Sequence, residues 1–64
     1  MKEKILWIAR DKNGQLFLFE VKPHIEDQDT WYCDDYSDYW QIPEELYPEI
    51  TFKNSPKQLI IKQD

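Results

Sequence analysis

The strongest constraint on folding is a turn between two strand-forming segments near the beginning of the chain. Residues 4–10 and 15–22 are rich in β-branched and aromatic side chains, and the sequence Asp-Lys-Asn-Gly at 11–14 separates them. Asp11 suits the first position of a type I turn, and Gly14, the single glycine, stands where a left-handed backbone is needed. The sequence therefore predicts a β-hairpin with a three-residue loop and a bulge at the glycine.

The register of this hairpin follows from the turn, whose defining residues are Asp11, Asn13 and Gly14. Trp7 is expected to pair with Phe19, and Ala9 with Phe17. One face then carries Ile5, Trp7, Ala9, Phe17, Phe19 and Val21, and the other carries Leu6, Ile8, Arg10, Leu16, Leu18 and Glu20. Two largely apolar faces are unusual for a hairpin at a surface. We therefore expect the rest of the chain to cover both faces, or a partner to cover one of them.

The remaining segments predict further short strands at residues 30–33, 39–42, 49–53 and 57–62. Pro23 should end the second strand of the hairpin, and residues 24–29 have the polarity of a connection. Pro43 and the two glutamates after it indicate one helical or 3₁₀ turn. No connection is long enough for the crossover of a parallel pair. We predict one mainly-β domain over residues 1–64, an antiparallel β-meander or rolled, barrel-like sheet of five or six short strands.

Size and composition limit how such a domain is stabilised. The chain has 64 residues with 16% aromatic residues, and Cys33 is its only cysteine, so no disulfide framework supports the small core. A second subunit would add buried area, so a homodimer is an expectation. The lack of paired cysteines and the shortness of the apolar run at residues 5–9 lead us to expect a cytoplasmic protein without a membrane segment.

Charge is sharply segregated along the chain. Residues 1–22 carry five basic and three acidic side chains, residues 23–49 carry nine acidic side chains and no Lys or Arg, and residues 50–64 carry three basic and one acidic. The acidic middle segment could pack against the basic ends, or it could form an acidic recognition surface. Nucleic-acid binding is not expected, because it requires clustered Lys and Arg.

Aromatic residues alternate with the acids of the middle segment. The rings are Trp31, Tyr32, Tyr36, Tyr39 and Trp40. Trp and Tyr are common anchors of protein interfaces, and the neighbouring Asp34, Asp35 and Asp38 would steer a basic partner. The alternative is that these rings fill the core while the tyrosine hydroxyls reach water.

Other chemistry finds less support. Cys33 and His24 lack the local signature of a Cys–His nucleophile, and one cysteine with one histidine is too few for zinc. The aspartates at 27–38 could bind calcium, but the spacing of an EF-hand is missing. A sugar cleft with paired acids would need more depth than a chain of this length offers. We therefore predict no catalytic residue, no metal and no cofactor.

Two segments of the chain resemble a known group of sequences. IARDKNGQLFLF at 8–19, followed by Lys22-Pro23, is similar to the opening of short hypothetical proteins found in gut anaerobes and in their prophages and mobile elements. IPEELYPEITFKNSP at 42–56 resembles their closing segment. The resemblance implies a phage-associated or accessory protein and transfers no catalytic or binding residue.

Our leading hypothesis is therefore a non-enzymatic protein-interaction module from a mobile element, with a protein partner at the aromatic and acidic middle segment. The alternative is a β domain that binds a small ligand, either a sugar or calcium, with the same rings and carboxylates.

Overall fold

The computed structural model describes residues 2–34 and 36–63. It contains six strands, namely β1 (Lys2–Arg10), β2 (Leu16–Phe19), β3 (His24–Ile25), β4 (Trp31–Tyr32), β5 (Tyr39–Ile42) and β6 (Lys57–Gln63). Four of them form an antiparallel sheet in the order β5-β2-β1-β6, and β3 pairs with β4 in a separate two-stranded sheet. The prediction of a small, mainly-β antiparallel domain is confirmed. Over the residues described, no helix is long and apolar enough to cross a membrane.

The hairpin forms as its turn sequence predicts. The backbone N–H of Asp11 donates to the carbonyl of Gln15 at 2.8 Å, and the N–H of Gly14 donates to the carbonyl of Asp11 at 2.9 Å. Gly14 has a φ of +98°. The predicted register is confirmed, with Trp7 opposite Phe19. The second strand ends at Phe19 rather than at residue 22. The N–H of Glu20 still donates to the Asp38 carbonyl at 3.1 Å, which continues the β2–β5 register by one residue, and the chain bends at residues 20 and 21.

The predicted strand at residues 49–53 is wrong. Turns occupy this segment, because the side chains of Thr51 and Asn54 bond each other's backbone N–H groups, at 2.8 and 3.2 Å, in place of a ladder partner. The predicted inward positions are nevertheless correct, since Ile50 is buried and Phe52 is half-buried.

Two shorter segments also differ from expectation. The predicted helical turn after Pro43 is one hydrogen-bonded turn, in which the N–H of Leu46 donates to the Pro43 carbonyl at 3.2 Å, and no helix develops from it. The predicted connection after Pro23 contains β3, which pairs His24 with Tyr32 and Ile25 with Trp31. A two-residue strand has too little pattern to be recognised in sequence.

The two faces of the hairpin receive different covers. On one face, Ile8 and Leu16 are buried with Ile50, and Leu18 and Ile42 pack against this cluster. The opposite face buries Ala9 and Phe19 and lies beneath the segment that contains β4. The expectation that the rest of the chain covers both faces therefore holds at the turn end of the sheet.

Arg10 connects the first of these covers to the sheet. Its guanidinium donates to the carbonyls of Ile50 at 2.6 Å and Gly14 at 2.7 Å, and to three further carbonyls at 3.1–3.2 Å, those of Glu44, Leu46 and Tyr47. The backbone N–H of Arg10 donates to the Ser55 hydroxyl at 2.9 Å. One residue at the end of β1 therefore holds most of the irregular segment 43–55.

Replacing Gly14 with Val should lower the free energy of unfolding by at least about 1 kcal/mol, because a β-branched residue tolerates positive φ poorly. An added Cβ would meet only the Glu44 carboxylate, at the ordinary distance of 3.9 Å, so the loss reflects backbone strain. Gly14→Asn, which visits left-handed backbone more readily, should lose less. Chemical denaturation measures both, and equal midpoints for Val and wild type would contradict the turn.

Replacing Arg10 with Met should lower the free energy of unfolding by about 2–4 kcal/mol, because several carbonyls lose their donor at once. Lys12→Met is the matched control, since it removes an exposed cation two residues away. The control should change stability by less than about 0.5 kcal/mol. Similar losses in the two variants would show that charge, rather than the carbonyl contacts, accounts for the effect of Arg10.

Candidate functional site

A groove of about 380 Å³ lies between one face of the sheet and the segment that carries β4. Its lining combines rings, carboxylates and hydroxyls. The residues are Asp11, Phe17, Phe19, Thr30, Trp31, Tyr32, Cys33, Asp34, Ser37 and Tyr39. The groove is therefore built from the hairpin, from β5 and from the acidic middle segment.

Three rings of the sheet make an aromatic floor. Phe19 and Tyr39 are opposed across β2 and β5, with ring centroids 5.9 Å apart and planes 25° from parallel. The ring centroid of Phe17 lies 6.2 Å from that of Phe19 and 6.1 Å from that of Tyr39. Phe19 is fully buried, whereas Tyr39 is 59% exposed. Tyr39 therefore offers ring surface to a ligand, and Phe19 supports it from below.

Aspartates shape the wall of the groove. Asp27 Oδ1 accepts the backbone N–H groups of Asp29 at 3.1 Å and Thr30 at 3.0 Å, and its Oδ2 accepts the Tyr32 hydroxyl at 3.2 Å. These donors lower the pKa of Asp27, the Asp29 N–H most of all, and the charge of Asp27 in turn raises the pKa of Tyr32. The carboxylate thus orders the chain that leads into β4.

Asp34 organises the next turn. Its Oδ1 accepts the Tyr36 backbone N–H at 3.1 Å and the Ser37 hydroxyl at 2.8 Å. The Cys33 thiol donates to the Ser37 carbonyl at 3.7 Å, which closes the same loop. Asp34 lines the groove, so one carboxylate both shapes the loop and adds negative charge to the site.

Asp11 places a buried carboxylate in the groove lining. It is buried with 5% exposure, and its Oδ1 accepts the backbone N–H of Trp31 at 3.0 Å. Burial raises the pKa of Asp11; the Trp31 N–H works against this rise, and the charge of Asp27 adds to it. A carboxylate already short of solvation gains from a cation placed beside it.

The structure brings together four of the eight residues predicted to contact a partner, namely Trp31, Tyr32, Asp34 and Tyr39. Trp40 lies on the other face of the sheet, opposite Leu18. Tyr36 is 98% exposed outside the groove, and Asp38 is an exposed residue whose carbonyl accepts the Glu20 N–H. Asp35 lies outside the described residues.

Sequence reasoning did not assign the rest of the lining to a site. Phe17 and Phe19 were placed on the correct hairpin face, but nothing local indicated that Tyr39 would join them. Asp11 was identified only as a turn residue. A period-of-two reading of residues 39–42 would have shown that Tyr39 and Trp40 face opposite sides.

The acidic segment is sparsely paired with cations. Among residues 2–34 and 36–63, the one ion pair between a lysine and a carboxylate joins Lys12 and Asp29 at 3.7 Å, and both side chains are exposed. His24 lies 3.4 Å from Glu26, also at the surface. Over the same residues, no group of three or more His, Cys, Asp or Glu side chains is placed to hold a metal ion.

Comparison with known proteins adds no relative. No protein-family model, curated protein or solved structure matches the chain.

The raised pKa of Asp11 predicts a specific pH dependence. The folded state holds the Asp11 proton more tightly than the unfolded state. The contribution of Asp11 to the free energy of unfolding therefore declines as the pH rises from its ordinary pKa of 3.8 through its raised pKa in the folded state. Asp11→Asn keeps an acceptor for the Trp31 N–H without the charge. Its stability relative to wild type should therefore increase with pH over that window and then level off.

Thermal or urea unfolding from pH 3 to 7 measures this difference. Asp27→Asn is the matched control and should show the opposite trend, because a lowered pKa contributes stability that is lost as pH falls. Asp11→Ala should lose about 1–3 kcal/mol at every pH, because the Trp31 N–H loses its acceptor. An Asp11→Asn difference that falls with rising pH would contradict the assignment.

Proposed function

We propose that the chain is a non-enzymatic protein-interaction module that binds a basic segment of a partner protein, with a Lys or Arg side chain in the groove. The observation that carries this proposal is the joint presence of an exposed ring, Tyr39, and two carboxylates, Asp11 and Asp34, in one groove. Ring faces and carboxylates are the two groups that attract an organic cation.

The chain already contains one contact of the proposed kind. Lys22 Nζ lies 5.5 Å from the centroid of the Trp7 ring, within the range of a cation–π interaction. In the groove, Tyr39 would supply the corresponding ring to a cation from outside. The aliphatic stem of that side chain would lie along Phe17, which is half-buried.

The surrounding charge favours a basic partner over an acidic one. Residues 23–49 contain no Lys or Arg, and neither ion pair of the described residues involves the groove carboxylates of Asp11 and Asp34. Such a surface accelerates encounter with a basic partner and repels nucleic acid. An origin as an accessory protein of a phage or mobile element is part of the proposal. This part rests on the resemblance of residues 8–19 and 42–56 to the short hypothetical proteins described above.

The proposal is tested by titrating ¹⁵N-labelled protein with two peptides that differ in a single central residue, Arg in one and Gln in the other. The Arg peptide should shift the amide signals of the groove, including those of Trp31, Ser37 and Tyr39, and higher ionic strength should weaken its binding. Tyr39→Ala should raise the dissociation constant of the Arg peptide about 5–30-fold, because a partly desolvated cation–π contact contributes about 1–2 kcal/mol of binding free energy.

Trp40→Ala is the matched control, because it removes the neighbouring ring of β5 from the opposite face of the sheet. Its dissociation constant should stay within about twofold of wild type. Equal binding of the Gln peptide, or signal changes on the Trp40 face, would contradict the proposal. Groove signals that respond to oligosaccharides or calcium but not to the Arg peptide would favour the small-ligand alternative.

A further inference from the structure

The last strand, β6, forms one edge of the four-stranded sheet and carries exposed apolar side chains. Ile60, at the centre of its seven residues, is 51% exposed, and Ile61 is also exposed. Ile5 is 48% exposed and lies directly opposite Ile60 in β1. β2 pairs with β1 only from Trp7 onward, so β1 and β6 continue beyond the sheet as a two-stranded ribbon. Exposed apolar edges of this kind are templates for strand pairing.

We propose that two copies of the chain pair β6 with β6 in antiparallel orientation, about a two-fold axis that passes through Ile60. The two four-stranded sheets would then join into one sheet of eight strands. No residue of β6 lines the groove, so this surface is separate from it.

The sequence of β6 is self-complementary in this register. Ile60 meets Ile60 of the second copy, Leu59 meets Ile61, Gln58 meets Lys62, and Lys57 meets position 63. The seven residues overlap completely, and no lysine faces a lysine. A two-fold axis at Leu59 or Ile61 would shorten the overlap to five residues and set a lysine against an isoleucine. Like charges opposite each other destabilise a strand pair, and apolar pairs stabilise it.

The proposed pairing also brings exposed apolar side chains of the two copies into lateral contact. On one face, Ile5 and Ile60 of each copy would form a row of four isoleucines across the joined sheet. On the other face, Leu6 and Leu59 of one copy would continue into Ile61 of the second. Each face of the ribbon thus gains lateral apolar contacts across the junction, and such cross-strand pairs stabilise antiparallel strands. A contact of this length is small, which implies a weak dimer.

Sedimentation equilibrium tests the interface through Ile60→Lys, which sets two lysines against each other on the axis. The variant should raise the dimer dissociation constant at least about thirtyfold. Ile25→Lys is the matched control, since Ile25 is an exposed isoleucine of β3 in the other sheet, and its dimer should be unchanged. Circular dichroism of both variants should match that of the wild type, which checks that they fold. A wild-type chain that is monomeric at its solubility limit would overturn the proposal.

The register is tested by opposite charges at Gln58, which faces Lys62 of the second copy. Gln58→Glu should tighten the dimer about three- to tenfold at low salt, because two symmetry-related ion pairs form, and Gln58→Lys should weaken it by a similar factor. The same changes at Gln41, an exposed residue of the opposite edge strand β5, should have no effect. Equal responses to both charges at Gln58, or a dimer that responds at Gln41 instead, would overturn the pairing.

Discussion

The hydrogen bonds of Arg10 hold the segment between β5 and β6 against the face of the sheet that carries Ile8 and Leu16. The segment between β5 and β6 has no regular structure, so its carbonyls need donors from elsewhere. Arginine carries more N–H donors than any other side chain, in a rigid planar arrangement. The Arg10 guanidinium donates to five carbonyls, of which four belong to this segment and the fifth to Gly14 of the hairpin turn. These contacts place Ile50 on Ile8 and Leu16, where it completes the small core. The core therefore depends on a polar side chain at the end of a strand.

Asp11 performs the corresponding task on the opposite face. Neighbouring residues of an extended chain point to opposite sides. Arg10, the last residue of β1, and Asp11, the residue after it, therefore reach the covers on the two opposite faces. The Asp11 carboxylate binds the backbone of Trp31 and fixes β4 above the hairpin. The groove is the space left between this attachment and the rings of Phe17 and Tyr39. The position of the groove thus follows from the hydrogen bond between the Trp31 N–H and the Asp11 carboxylate, and from the turns that Asp27 and Asp34 stabilise.

The parts of the fold that sequence could predict are those with local causes. The hairpin follows from its turn chemistry, and β5 and β6 from uninterrupted strand-forming residues. The segment at 49–53 has the alternation of a strand, but Ile50 and Phe52 can also point inward from consecutive turns. The groove could not be predicted, because it depends on Asp11 meeting Trp31 twenty residues away and on β5 joining β2. The division between Tyr39 and Trp40 needed only the alternation of the predicted strand.

The arrangement of the sheet relates the two proposed surfaces. The groove rests on β2 and β5, whereas the proposed junction uses β6, and β5 and β6 are the opposite edges of the sheet. A dimer through β6 would therefore leave both grooves accessible at its two ends. Two linked sites raise the effective concentration for a second basic segment on the same partner, so a weak single contact becomes a stronger double one. A partner with two basic segments at matching spacing would in turn stabilise the dimer, because such a partner binds the dimer more tightly than it binds the single chain.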